Sequence, residues 1–167
     1  LAKKHDALTV IDMSQTAGLL PLDLSSSLYD FAVFAGHKTL YAPFGIGGFF
    51  CDRNARLEPV FFGGNGINSV EQDMPSSIVP MEEVGSQNTY AIAGLKASTD
   101  WIQASGMASI RARELKACDR LLRLLENTGA QVLDGNMRSE RIGVVSALFG
   151  GHSSDEIEMA LGNFGVA

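Results

Sequence analysis

The sequence predicts an α/β protein, with part of a mostly parallel sheet over residues 1–88 and a small α+β unit over 89–167. Three observations predict it. Apolar, β-branched runs at Ala7–Ile11 and Phe31–Ala35 are separated by a long polar connection, the spacing of two parallel strands. From Thr89 onward the apolar period becomes helical, with Ala91, Leu95, Ser98 and Ile102 on one face. The order after Thr89 then reads helix, helix, strand, strand, helix, as in a small α+β unit.

Composition limits the functional classes. At 167 residues the chain can bury a full core, and its 46% hydrophobic and 19% charged residues are those of an ordinary globular protein. Mean hydropathy is +0.09. A net charge of −6 argues against a dedicated nucleic-acid or acidic-membrane surface. No apolar run approaches the roughly 20 residues that span a bilayer. The two cysteines, Cys51 and Cys118, belong to no Cys-x-x-Cys pair, so reduced thiols and a cytoplasmic location are expected.

Taken in order, LAKKHD reads as part of a helix, and the chain as one cut at both ends. Ala7–Ile11 is a strand whose carboxyl end carries Asp12. Met13, Ser14 and Gln15 follow, then the small-residue turn Ala17-Gly18, and Pro21 with Asp23–Ser27 leads to the next strand. Phe31–Ala35 is expected to be buried on both faces. Gly36 breaks it and presents His37 and Lys38 just past its end. Pro43 and the series Gly45-Ile46-Gly47-Gly48 force a tight return, so Gly48–Cys51 should run antiparallel. The apolar, glycine-bearing Pro59–Gly66 and the polar loop Ser69–Pro80 come next, and a loop of that length is mobile or functional.

A helix from Thr89 is interrupted at Gly106. A second runs over about 108–127, with Ile110, Cys118, Leu121, Leu122 and Leu125 on its apolar side and Gly129 as a cap. Arg113, Lys116, Arg120 and Arg123 form a basic stripe, read as a solvated face. Ala130–Asp134 and Ile142–Phe149 are candidate strands. Ser153 and Glu156 form a capping box that starts a last helix, with Ile157, Leu161 and Phe164 on its buried side.

The chemistry concentrates at two strand ends. Asp12 and Gln15 stand at one, His37 and Lys38 at the other, and Gly45 lies seven positions beyond the lysine. An amine held past a strand end against apolar walls can act as a nucleophile, although a Gly-His-Lys tripeptide alone is more often a solvated turn. Together these groups suit pyridoxal 5'-phosphate. That cofactor needs a lysine for its Schiff base, a carboxylate to keep its ring nitrogen protonated, and donors for its phenolate and phosphate.

The segments IDMSQTAG, VFAGHKTLYAPFGIGGFF and EEVGSQNTYAIAGL, in this order, resemble the class V aminotransferase family of fold-type I pyridoxal phosphate enzymes. Within it the chain is most similar to the cysteine desulfurase and selenocysteine lyase branch. The likeness covers essentially the whole chain; in the last seventy residues it rests on GVVSALF and SSDEIEMAL.

The resemblance implies a Schiff-base lysine at Lys38, Asp12 on the pyridinium nitrogen, Gln15 on the phenolic oxygen and His37 on the phosphate. It also implies that Ser86 reaches the phosphate of a neighbouring subunit, and hence a homodimer. Residues 1–88 would be the C-terminal part of the cofactor-binding large domain, and 89–167 a small domain truncated at its C-terminus. The implied reaction takes sulfur from cysteine, a small amino-acid substrate, to an enzyme cysteine and on to a sulfur-acceptor protein. One departure is Ala35, where the family often carries a hydroxyl donor. The family's phosphate-binding turn, ring-stacking residue, substrate arginine and nucleophilic cysteine have no counterpart here, so an internal fragment, inactive alone, is expected. Cys51 and Cys118 read as structural. The alternatives are a class V aminotransferase or another pyridoxal phosphate-dependent lyase, or a non-catalytic dimerisation or binding domain. A dinucleotide site fits poorly, because Gly45-Ile46-Gly47 lacks the third glycine, and no metal-ligand spacing is present.

Overall fold

The computed structural model describes residues 2–25, 29–52, 55, 57–64, 66, 70–75, 84–133 and 141–166. Compact packing divides the chain into Leu1–Met107 and Ala108–Ala167. The helical period expected from Thr89 onward coincides with the start of the first long helix.

In the first unit, Ala2–His5 forms a short 3-10 turn where a helix was expected. Strand β1 is Val10–Asp12, later and shorter than the apolar run. Just before it, Thr9 donates its N–H and its hydroxyl to Asp30 Oδ2, both at 2.8 Å, while its carbonyl accepts the Asp30 and Phe31 N–H groups at 3.1 and 3.0 Å. Lys3 Nζ adds an ion pair to Asp30 Oδ1 at 2.7 Å. These bonds, the Lys3 one foremost, hold the Asp30 carboxyl down at about 2 from an ordinary 3.8.

Strand β2 is Phe31–Ala35 and β3 is Gly47–Cys51. The sheet order is β1-β2-β3, with β1 parallel and β3 antiparallel to β2, as the connection lengths require. Ala32 is fully buried against Met13 and Tyr29, with Ile11, Ala17 and Phe34 packed around them. Burial on both faces holds for Phe31 and Ala32 only. Val33, Phe34 and Ala35 are half-buried, and Phe34 lines an apolar cleft of about 530 Å³ that opens to solvent. Much of the loop Ser69–Pro80 lies outside the described residues.

Helix α1, Thr89–Ser105, starts where the Asn88 side chain accepts the Ala91 N–H at 3.1 Å. It ends at Gly106, whose φ of 78° lets its N–H return to Ile102 O at 2.8 Å. Ala91 and Ile102 are buried, and Leu95 and Ser98 half-buried, on the face the period marks.

Helix α2 is Met107–Leu125, with Ile110, Cys118 and Leu122 buried. Leu121, expected on that side, faces solvent. Arg113, Lys116, Arg120 and Arg123 are all exposed, and Arg123 pairs with Asp119 one turn back. Gly129 is left-handed at φ 73°, beyond the helix end. Strands β4 (Gln131–Val132) and β5 (Ala147–Leu148) pair antiparallel, far shorter than the two apolar runs. Helix α3, Ser154–Asn163, carries the expected capping box: Glu156 Oε2 accepts the Ser153 N–H at 2.8 Å and Ser153 Oγ the Glu156 N–H at 3.3 Å. Its apolar side is a correction: Ile157 is half-buried, but Leu161 and Phe164 are exposed, at 44% and 87%. Two-residue strands offer too little surface to cover that face. Among the described residues no helix is long and apolar enough to cross a membrane.

Candidate active site at the strand ends

Parallel pairing brings two chain exits together. The register sets Val10 opposite Phe31, Ile11 opposite Ala32 and Asp12 opposite Val33, and the Met13 N–H extends it to Val33 O at 2.8 Å. The segments after β1 and β2 therefore leave from one edge of the sheet, where open α/β sheets take their ligands. Asp12 ends β1, and Gln15 sits in the turn behind it, whose Thr16 and Ala17 N–H groups both return to Met13 O. His37 and Lys38 follow β2. All four side chains are exposed.

Electrostatics tie the two exits. Ser14 donates its N–H to Asp12 Oδ1 at 2.8 Å, the local turn that an Asp two residues earlier favours. The Ser14 hydroxyl and then its N–H hold the Asp12 carboxyl below its ordinary 3.8, and the positive charge of Lys38 lowers it further. The carboxylate stays ionised at neutral pH and lies within the field of the amine. Ser14 was not singled out in the sequence, though its place after an aspartate is the signal that would have found it.

Glycines build the lysine turn. The Gly36 N–H donates to Ile46 O at 2.9 Å, and a Cβ on Gly36 would come within 2.7 Å of Ile46 Cγ2 and 2.9 Å of Ile46 O. Gly45 takes φ 83°, closed to most side chains. Between them Phe44 stacks on His37, centroids 4.9 Å apart and rings 27° from parallel. No spacing rule marks Phe44; the turn brings it there.

Ser86 lies in the bend that leads to Asn88 and α1, where the Gly85 N–H reaches Gly64 O at 2.8 Å. Cys51 pairs with Phe31, at the end of β2 opposite Lys38, and Cys118 is buried on α2. The apolar cleft of about 530 Å³, lined among others by Met13, Leu20, Leu40 and Leu95, lies beside the polar groups: none of Asp12, Gln15, His37, Lys38 or Ser86 lines it.

A lysine and a carboxylate follow adjacent parallel strands, with a glycine-built turn closing the lysine loop, at the sheet edge where open α/β proteins take their ligands. The chain belongs to the Aminotransferase class-V family, whose model matches residues 1–167. That family is one of pyridoxal phosphate-dependent enzymes. A cysteine desulfurase of Shigella flexneri is 31% identical over 172 aligned positions, covering 100% of this chain and 42% of the relative. A cysteine desulfurase of Escherichia coli strain SE11 matches to the same extent. Among solved structures, the apo cysteine desulfurase of Thermococcus onnurineus NA1 superposes with a TM-score of 0.82 at 23% identity, over 99% of this chain and 42% of that one. The chain thus shares their fold and spans less than half their length.

Proposed function

We propose that these residues form the cofactor-binding part of a pyridoxal 5'-phosphate-dependent cysteine desulfurase. The observation that carries the reading is the parallel pairing of β1 with β2, which sets the Asp12 carboxylate, held by the Ser14 N–H, at one strand end and Lys38 past the next. The donor set fits the cofactor: an anion for a protonated ring nitrogen, an exposed amine for its carbonyl, and an amide, an imidazole and a hydroxyl for its oxygens. When bound, pyridoxal phosphate supplies an electron-withdrawing ring that weakens the bonds to the substrate's α-carbon.

Lys38 Nζ would be the amine that holds the cofactor through its carbonyl carbon. The same Nζ would also carry a proton to and from the substrate carbon. Asp12 would hold the proton on the ring nitrogen, Gln15 would donate to the phenolic oxygen, and His37 would bind the phosphate together with Ser86 of the neighbouring subunit in a homodimer. In the overall reaction the C–S bond of cysteine breaks, alanine is released, and the sulfur forms a persulfide on an enzyme cysteine, from which an acceptor protein takes it. Neither Cys51 nor Cys118 is assigned that thiol. Residues 1–88 belong to the cofactor domain and 89–167 to the small domain of a cytoplasmic enzyme.

The test is an absorption spectrum with added pyridoxal phosphate, followed by borohydride and peptide mapping, with Lys38→Ala as control. An absorption band lost in Lys38→Ala, with the fixed adduct on the Lys38 peptide, is expected. Adduct spread over the exposed Lys3, Lys4, Lys96 and Lys116, unchanged in Lys38→Ala, would remove the assignment.

A further inference from the structure

We infer that Tyr41 and Trp101 clamp the turn that carries Lys38 and are positioning residues for its amine; the use of that amine rests on the function proposed above. Lys38 Nζ makes no hydrogen bond to another described residue, so its placement is inherited from the backbone beneath it. That backbone is closed by three bonds of 2.9 Å: Gly36 N–H to Ile46 O, Ala42 N–H to Gly36 O, and Tyr41 N–H to Lys38 O. The last touches the lysine residue itself.

Tyr41 makes that bond at a φ of 55°, the left-handed region where a bulky side chain is an outlier and glycine would sit without strain. Something must hold a tyrosine there. Its ring meets Trp101 of α1 edge-on, with centroids 5.3 Å apart and planes at 84°. Both rings are 46% exposed, so the pair is not a core element, and its effect is on conformation more than on buried area.

The same helix presses on the turn at neighbouring points. A Cβ on Gly94 would lie 2.5 Å from the Pro43 ring, so the helix backbone is in close contact with the loop. On the other side, a Cβ on Gly18 would lie 3.0 Å from Thr39 O and 3.2 Å from Ile102 Cδ1. Helix α1 is therefore the anvil of the lysine turn, and Trp101 brings an aromatic ring from it to the strained residue.

The experiment measures amide exchange of Tyr41 and Ala42 in the full chain, alongside borohydride fixation of pyridoxal phosphate on Lys38 relative to Lys96. In Trp101→Ala, protection of these two amides should fall about tenfold while the β2 and β3 amides keep theirs, since a local opening is read separately from a global one. The Lys38 to Lys96 adduct ratio should fall with it. Trp101→Phe and Tyr41→Phe, which retain a ring, should restore both readouts. Unchanged exchange at Tyr41 in Trp101→Ala, or equal loss in the Ala and Phe variants, would overturn the clamp. If the unaltered protein shows no preference for Lys38, the functional assignment fails, and the exchange data still decide the clamp.

Discussion

In the unit Leu1–Met107, close glycine contacts and side-chain ties decide where each turn goes, whereas in Ala108–Ala167 two helices form on period and caps and leave much of their apolar surface in solvent. Gly36, Gly47 and Gly48 each stand where a Cβ would fall within 3.0 Å of another residue, and Asp30 and Asp12 fasten the chain beside them. In the second unit Gly129, Gly150, Gly151, Gly162 and Gly165 have nothing within 4 Å of that position. The tight contacts collect along the lysine hairpin, while Gly64, Gly66 and Gly85 of the same unit are open and a Cβ on Gly143 of the second would meet Glu114 Oε2 at 3.0 Å. A site made of strand ends needs its exits fixed to fractions of an ångström, and a pair of solvent-facing helices does not.

Three substitutions or conditions should break that contrast or sharpen it. Gly36→Ala should have the largest effect, about 1–3 kcal/mol of lost stability, because the new methyl group meets the Ile46 carbonyl, which is backbone and cannot step aside. Denaturant midpoints read the loss. A midpoint equal to that of the parent would mean that the hairpin is not closely packed and that the contrast between the units is illusory.

Acid should act next. The Asp30 carboxyl is held down to about 2 from an ordinary 3.8, so its contribution to stability is complete above 3.8 and is lost as pH falls from there through about 2. Acid titration followed at the Thr9 amide should show release in that window, and Asp30→Asn should leave this amide exchanging freely at every pH. Release already at pH 5 would contradict the tie.

Ser153→Ala should be smallest and most local, about 1 kcal/mol from the lost cap of α3. Amide exchange should rise in Ile157–Leu161 and stay constant in β2 and β3. Equal changes in both regions would show that the two units unfold as one.

Much of this was legible in local patterns. Phe31–Ala35, the returning strand before Cys51, the break at Gly106 and the capping box at Ser153 all announce themselves within a few residues. So does the common sheet edge of Asp12 and Lys38, because a parallel crossover dictates it. What escaped depends on partners far along the chain. Asp30 captures Thr9 and Lys3 across 21 and 27 positions. Tyr41 takes a left-handed φ that no glycine signals, held by a tryptophan sixty positions on. Period alone marks Leu161 and Phe164 as apolar, and cannot say that the described residues leave them exposed.

The two thiols, finally, fall one to each unit: half-buried Cys51 on β3 and buried Cys118 on α2. Neither is bonded to the other, so each can be alkylated only as fast as its own surroundings let reagent in. A timed pulse of a thiol-blocking reagent, read by mass on two separate peptides, thereby turns a pair of unremarkable cysteines into independent clocks. One records how often the sheet opens and the other how often the helical unit does.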